Sequence, residues 1–85
     1  MEKKIGQITH FYNRISVAVL SLTDKLEVGD RIHILGHTTD FIQNVSSMEI
    51  EHKKVFVVGP QDDVALKVNE PVRNGDVIYK ILDEA

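Results

Sequence analysis

The chain has 85 residues, no cysteine and a formal net charge of −3, so it reads as one domain, 1–85, with a modest core and no disulfide. The acidic balance argues against a tight, nonspecific nucleic-acid binder, and the missing cysteines fit a reducing compartment. No apolar run is long enough for a membrane span or a secretory signal, so the expectation is a cytoplasmic protein without a membrane partner.

Residues 4–10 alternate Ile5 and Ile8 with polar positions, interrupted by Gly6, and predict a first strand. Phe11-Tyr12-Asn13-Arg14 reads as a connection, with Asn13 suited to the left-handed conformation. Residues 15–22 predict a second strand. Ile15, Val17 and Val19 share one face, and Ala18, Leu20 and Leu22 the other, which predicts a central strand covered on both sides. Thr23-Asp24-Lys25 is a turn, and residues 23–28 allow one turn of helix. Leu26-Glu27-Val28-Gly29-Asp30-Arg31-Ile32 then leads into a strand over 31–35, with Ile32 and Ile34 inward and Arg31 and His33 outward.

Residues 36–40 form a loop, and 41–51 a long strand bent near Ser46-Ser47. His52-Lys53 closes a hairpin onto a strand over 54–58. Gly59-Pro60-Gln61-Asp62-Asp63 is a loop, because Pro60 cannot donate to a ladder. Val64, Leu66 and Val68 alternate in a further strand. After Glu70-Pro71, Val72-Arg73-Asn74-Gly75-Asp76-Val77-Ile78 repeats the earlier turn: an apolar residue, a charged one, a spacer, Gly-Asp, then a strand, here 77–82. Gly tolerates positive φ and Asp bonds nearby amides, so each copy is a tight strand entry. Residues 83–85 are expected to fray. About seven short, regularly spaced strands predict an all-β sandwich or barrel, and closure into a barrel leaves few edges to aggregate.

Several strings carry a resemblance. Gly6-Gln7-Ile8, His10-Phe11-Tyr12-Asn13, Ile15-Ser16-Val17-Ala18-Val19-Leu20 and the first Gly-Asp turn resemble domain 2 of elongation factor Tu and other translation GTPases. Gly36-His37-Thr38-Thr39-Asp40-Phe41, Val45-Ser46-Ser47-Met48, Leu66-Lys67-Val68 and the second Gly-Asp turn are similar to stand-alone translation elongation factor-like proteins and to the C-terminal barrel of the collagenase-like peptidase family. The resemblance covers almost the whole chain. It implies an all-β fold, a small closed six- to seven-stranded antiparallel Greek-key β-barrel. It also implies an accessory role, since such proteins place their chemistry in other domains. One stretch departs from the pattern. Where the family carries small-Gly-Asp-x-Val-Gly, this chain has Gly59-Pro60-Gln61-Asp62-Asp63-Val64-Ala65, with Ala65 in place of a glycine.

The residues themselves offer little catalytic chemistry. His33 and His37 lie four apart on a strand and a loop, where that spacing does not put them on one face. His10 and His37 are expected to make turn hydrogen bonds, and His33 and His52 to face solvent, with no metal site. Asp30, Asp40 and Asp76 read as turn residues, Thr38, Thr39 and Asp40 as local caps, and Ser46 and Ser47 lack a base. No catalytic residue and no cofactor are expected.

Phe11 is expected to plug one end of the barrel. Tyr12 and Arg14 combine a stacking ring with a cation, as an RNA surface would, and Lys53, Lys54 and Arg73 join them as candidates. His37, Thr38 and Thr39 form a possible contact loop. The expected function is a noncatalytic, translation-factor-like module that binds tRNA or ribosomal RNA weakly. The alternative is a protein-interaction module docking onto a peptidase-like or RNA-modifying enzyme.

Overall fold

The computed structural model of the protein describes residues 1–82. The expected fraying of 83–85 lies outside the described residues. Ten strands follow one another: β1 Glu2–Tyr12, β2 Val17–Leu22, β3 Leu26–Glu27, β4 Arg31–Leu35, β5 Asp40–Asn44, β6 Met48–Ile50, β7 Lys53–Val55, β8 Val57–Val58, β9 Val64–Lys67 and β10 Val77–Ile81. Eight form one antiparallel sheet in the order β5-β4-β10-β1-β2-β9-β6-β7, and β3 and β8 form a separate pair. No helical turn occupies 23–28; that stretch bends and enters β3.

The expected long strand over 41–51 is broken at 45–47, as the Ser46-Ser47 bend suggested. β5, before the break, pairs with β4, whereas β6, after it, pairs with β9 and β7. The two halves therefore lie far apart in the sheet order, β5 at one end and β6 next to the last strand at the other. No backbone ladder joins β5 to β9 among the described residues, so the expected ring of ladders is incomplete. A side chain spans the gap instead. Buried Gln43 donates from Nε2 to the Lys67 carbonyl at 3.0 Å and accepts at Oε1 from the Asn69 N–H at 2.7 Å.

Inward residues alternate along every main strand, as a half-buried sheet requires. Ile5 and Ile8 of β1, Ala18, Leu20 and Leu22 of β2, Ile32 and Ile34 of β4, Val64 and Leu66 of β9 and Ile78 of β10 fill one core with Leu26, Val45, Met48 and Val58. Phe11 packs against this core from its margin. β1 reaches its inward pattern through two irregularities of register, between Lys4 and Gly6 and between Ile8 and His10.

β2 corrects one expectation. It is central in the sheet, but only its inner face is covered. Val17 and Val19 stay half-buried and Ile15 is 57% exposed in the loop before the strand. Among the described residues no second layer covers the outer side. The left-handed residue of this loop is Ser16, at φ 55°, not Asn13.

The repeated turn has one geometry in both copies. Gly29 and Gly75 take φ of 98° and 94°. Asp30 accepts the Glu27 N–H at Oδ2 (2.9 Å), and Asp76 the Arg73 N–H (2.8 Å). Each aspartate returns its own N–H to the same residue's carbonyl, at 3.1 and 3.0 Å. Each Gly-Asp pair also grips one residue of a neighbouring segment. The Gly29 N–H meets the Val45 carbonyl and the Val45 N–H meets the Asp30 carbonyl; Gly75 and Asp76 hold Ile8 likewise. Two residues thus oppose one, as in a glycine-type β-bulge. The loop that departs from the family pattern keeps the aspartate clamp. Gly59 N–H donates to Asp62 Oδ2 at 2.8 Å, and Asp62 N–H to the Gly59 carbonyl at 3.1 Å. Pro60 sits second and no residue there has positive φ, as a type I turn requires.

Candidate interaction groove

The uncovered outer face of β2, β9 and β6 carries a groove of about 510 Å³. That lies within the range of about 300–1,000 Å³ typical of ligand sites. Register explains its lining. Ala65 stands between Val19 of β2 and Glu49 of β6, and Lys67 stands opposite Val17. Tyr12 and Ile15 border the groove from the β1–β2 end, His52 from the β6–β7 turn, and Ser47 from the strand break. Lys67 Nζ donates to the Ile15 carbonyl at 2.8 Å, tying the loop to β9. Tyr12 packs its ring edge-on against His10, with centroids 4.4 Å apart. The surface combines an apolar floor with one carboxylate, one ammonium, one imidazole and a phenol.

The structure distributes the residues singled out in the sequence over three places. Tyr12 lines the groove and Arg14 sits in the adjoining loop. Lys53 and Lys54 are exposed on β7 and point to opposite faces of it, with Lys54 across from Glu49. Both lysines lie on a terminal strand of the sheet, where charge also discourages edge-to-edge pairing. Arg73 belongs to the turn that grips Ile8, about 13 Å along β1 from Tyr12. The 37–39 loop adjoins that turn, because Gly36 lies directly against the Asp76 carboxylate. Backbone bonds between Gly36 and Thr39 close the loop, and Thr39 is buried. Ile15, Val17, Ser47, Glu49, Ala65 and Lys67 were not singled out as site residues. The apolar pattern on both faces of 15–22 was the available signal.

His33 departs from the expected solvent position. Its Nδ1 lies 2.9 Å from Glu2 Oε1 and its Nε2 2.6 Å from Asp40 Oδ1, and its side chain is only 16% exposed. The hydrogen bond to Glu2, then that to Asp40, raises its pKa above the ordinary 6.5. Asp40 is therefore a partner of His33 rather than a loop cap. Lys3 pairs with Asp24 and lowers that carboxyl's pKa, chiefly through the side-chain hydrogen bond. Among the described residues no three His, Cys, Asp or Glu side chains gather as metal ligands. No helix among them is long and apolar enough to cross a membrane.

No protein-family model matches the chain. It is 40% identical over 77 residues, 89% of its length, to an uncharacterized protease of Methanocaldococcus jannaschii, and the match takes up 19% of that protein. Its fold matches the C-terminal domain of a Geobacillus thermoleovorans protein described as a U32 peptidase, with a TM-score of 0.86 at 17% identity, covering 94% of this chain and 93% of that one. The selenomethionine variant of the same domain gives 0.83 at 16% identity, covering 89% and 96%. These matches bear on the peptidase side of the resemblance, whereas the likeness to elongation factor Tu rests on sequence strings alone. The chain is thus similar to a C-terminal domain of a peptidase-like protein and spans about a fifth of the curated relative it matches.

Proposed function

We propose that this chain is a noncatalytic accessory module that docks onto a peptidase-like protein through the groove around Tyr12. The observation that carries the reading is the 40% identity to a segment making up 19% of a protease. The chain corresponds to a minor part of that protein, so the larger part is the natural counterpart for docking. The half-exposed apolar groove supports the reading, because uncovered apolar surface marks interaction sites. The closed barrel of translation-factor type belongs to the same proposal, with Gln43 completing the wall where backbone ladders stop.

The test is affinity isolation of the tagged chain from its native cells after nuclease treatment, with mass-spectrometric identification. A peptidase-like protein recovered by the wild type, and lost with Ile15→Asp, is the expected result. Titration of labelled protein with bulk tRNA at low and physiological salt tests the RNA alternative. Salt-sensitive shifts at Tyr12, Arg14, Lys54 and Arg73, with no peptidase-like partner recovered, would overturn the proposal.

A further inference from the structure

We propose that Glu2, His33 and Asp40 form an acid-closed latch, which holds the 36–40 loop and the leading end of β5 against β4 and lets go of Asp40 when His33 loses its proton. The His33 side chain is only 16% exposed. Its Nδ1 lies 2.9 Å from Glu2 Oε1, which reaches it from β1, and its Nε2 lies 2.6 Å from Asp40 Oδ1 at the start of β5. An ionised carboxylate only accepts hydrogen bonds, and a neutral imidazole has one N–H and one lone pair. Both contacts are hydrogen bonds at once only in the imidazolium, which has two N–H donors. Without the proton, one ring nitrogen sets its lone pair against a carboxylate, and that contact opens. The same two bonds raise the His33 pKa, so the change falls above the ordinary 6.5.

Asp40 is the contact that opens. Its side chain is 73% exposed against 38% for Glu2, so water replaces the lost bond at Asp40 more readily. Asp40 in turn holds the loop. The Gly36 N–H donates to the Thr39 carbonyl at 2.7 Å and the Thr39 N–H to the Gly36 carbonyl at 3.5 Å, with Asp40 next in the chain. β5 is an end strand of the sheet, and among the described residues its only ladder is to β4. Gln43 ties the far end of β5 to Lys67 and Asn69, and the latch ties the near end. Opening it loosens the segment that presents the exposed His37 and Thr38.

The other charged or titratable groups facing His33 stand farther off. Arg31 shares its face of β4 two residues away, about 7 Å along the strand. Tyr79 is its register partner on β10, with ring centroids 6.2 Å apart. Lys4 lies beyond Tyr79 on β1, two strand spacings or about 10 Å away. β5 adds Asp40 alone, since Ile42 and Asn44 do not titrate, and His37 is exposed on the loop itself. Salt screens cations at those distances more than it screens two carboxylates in hydrogen-bond contact.

Nuclear magnetic resonance of the labelled chain from about pH 5 to about pH 9, where carboxylates stay ionised, tests this. Both His33 ring nitrogens should carry protons below 6.5, and one should lose its proton as pH rises through the raised value. The signals of residues 36–40 should move with that same midpoint. The protection factor of the Gly36 amide should fall about tenfold, the lower end for losing a charge-assisted hydrogen bond. A side-chain amide donates or accepts as the imidazole requires. Glu2→Gln should therefore leave the remaining N–H to Asp40 and keep the loop closed over the whole range. Asp40→Asn should likewise stay bonded in both states of His33, so its loop signals no longer follow the imidazole. His37→Gln should leave the wild-type transition in place. A loop midpoint different from that of His33, a transition that persists in Glu2→Gln or Asp40→Asn, or one that vanishes in His37→Gln would overturn the proposal. None of these readings depends on a docking partner.

Discussion

Asp76 is the residue on which the repeated turn is most exposed to test. It is buried, at 5% exposure, and its Oδ2 accepts the Arg73 N–H at 2.8 Å. Asp76→Ala removes a charge-assisted hydrogen bond, worth about 1.5–3 kcal/mol. A domain of this length has about 4–13 kcal/mol in all. The loss should lower Tm by about 6–24 °C and shift the urea midpoint at constant m-value. Asp76→Asn keeps an acceptor at the same place and should cost less than half as much. Gly36 supplies an internal check. A Cβ at Gly36 would collide with the Asp76 carboxylate. Gly36→Ala should therefore destabilise the wild type clearly and the Asp76→Ala background much less, a coupling that a double-mutant cycle measures. The assay is urea unfolding followed by circular dichroism. An Asp76→Ala unfolding free energy within about 0.5 kcal/mol of wild type, or strictly additive Gly36→Ala and Asp76→Ala costs, would refute the clamp.

Gln43→Leu should cost about 1–3 kcal/mol in the same assay, because it leaves the Lys67 carbonyl and Asn69 N–H without their partner; an unchanged midpoint would mean water replaces the amide fully. Glu51 and His52 form the β6–β7 turn with φ of 50° and 66°, conformations that Asn and Gly adopt at lower cost. Glu51→Asn with His52→Gly should raise stability by about 0.5–1.5 kcal/mol, and a decrease would count against this account of the hairpin. His33 makes stability pH-dependent. Its folded pKa is raised, so its contribution is complete below the ordinary 6.5 and is lost as pH rises through the raised value. The stability difference between wild type and His33→Gln should be largest below the ordinary 6.5 and shrink as pH rises through the raised value, and a flat difference would sink the Glu2–His33–Asp40 bridge.

The features legible in the sequence are those whose physics is local. Alternation placed Ile32 and Ile34 inward and set Val64, Leu66 and Val68 on one face, and all five are buried, because successive side chains of a strand point to opposite faces. The Gly-Asp turns closed as expected, since their bonds join residues three apart and glycine alone carries the positive φ without strain. Neighbouring residues could not say which segments those turns would grip. Val45 and Ile8 are chosen by chain closure over long separations. The same holds for Gln43, a polar residue in an alternating strand whose amide bonds backbone 24 and 26 residues away. His33 read as an outward, solvated imidazole until β1 and β5 brought Glu2 and Asp40 to its two nitrogens. The groove was hidden for a related reason. The sequence shows that both faces of 15–22 are apolar, but only the tertiary structure decides that one sheet covers its inner face and leaves the outer face uncovered. Exposure is a property of the whole chain's packing, which no local pattern encodes.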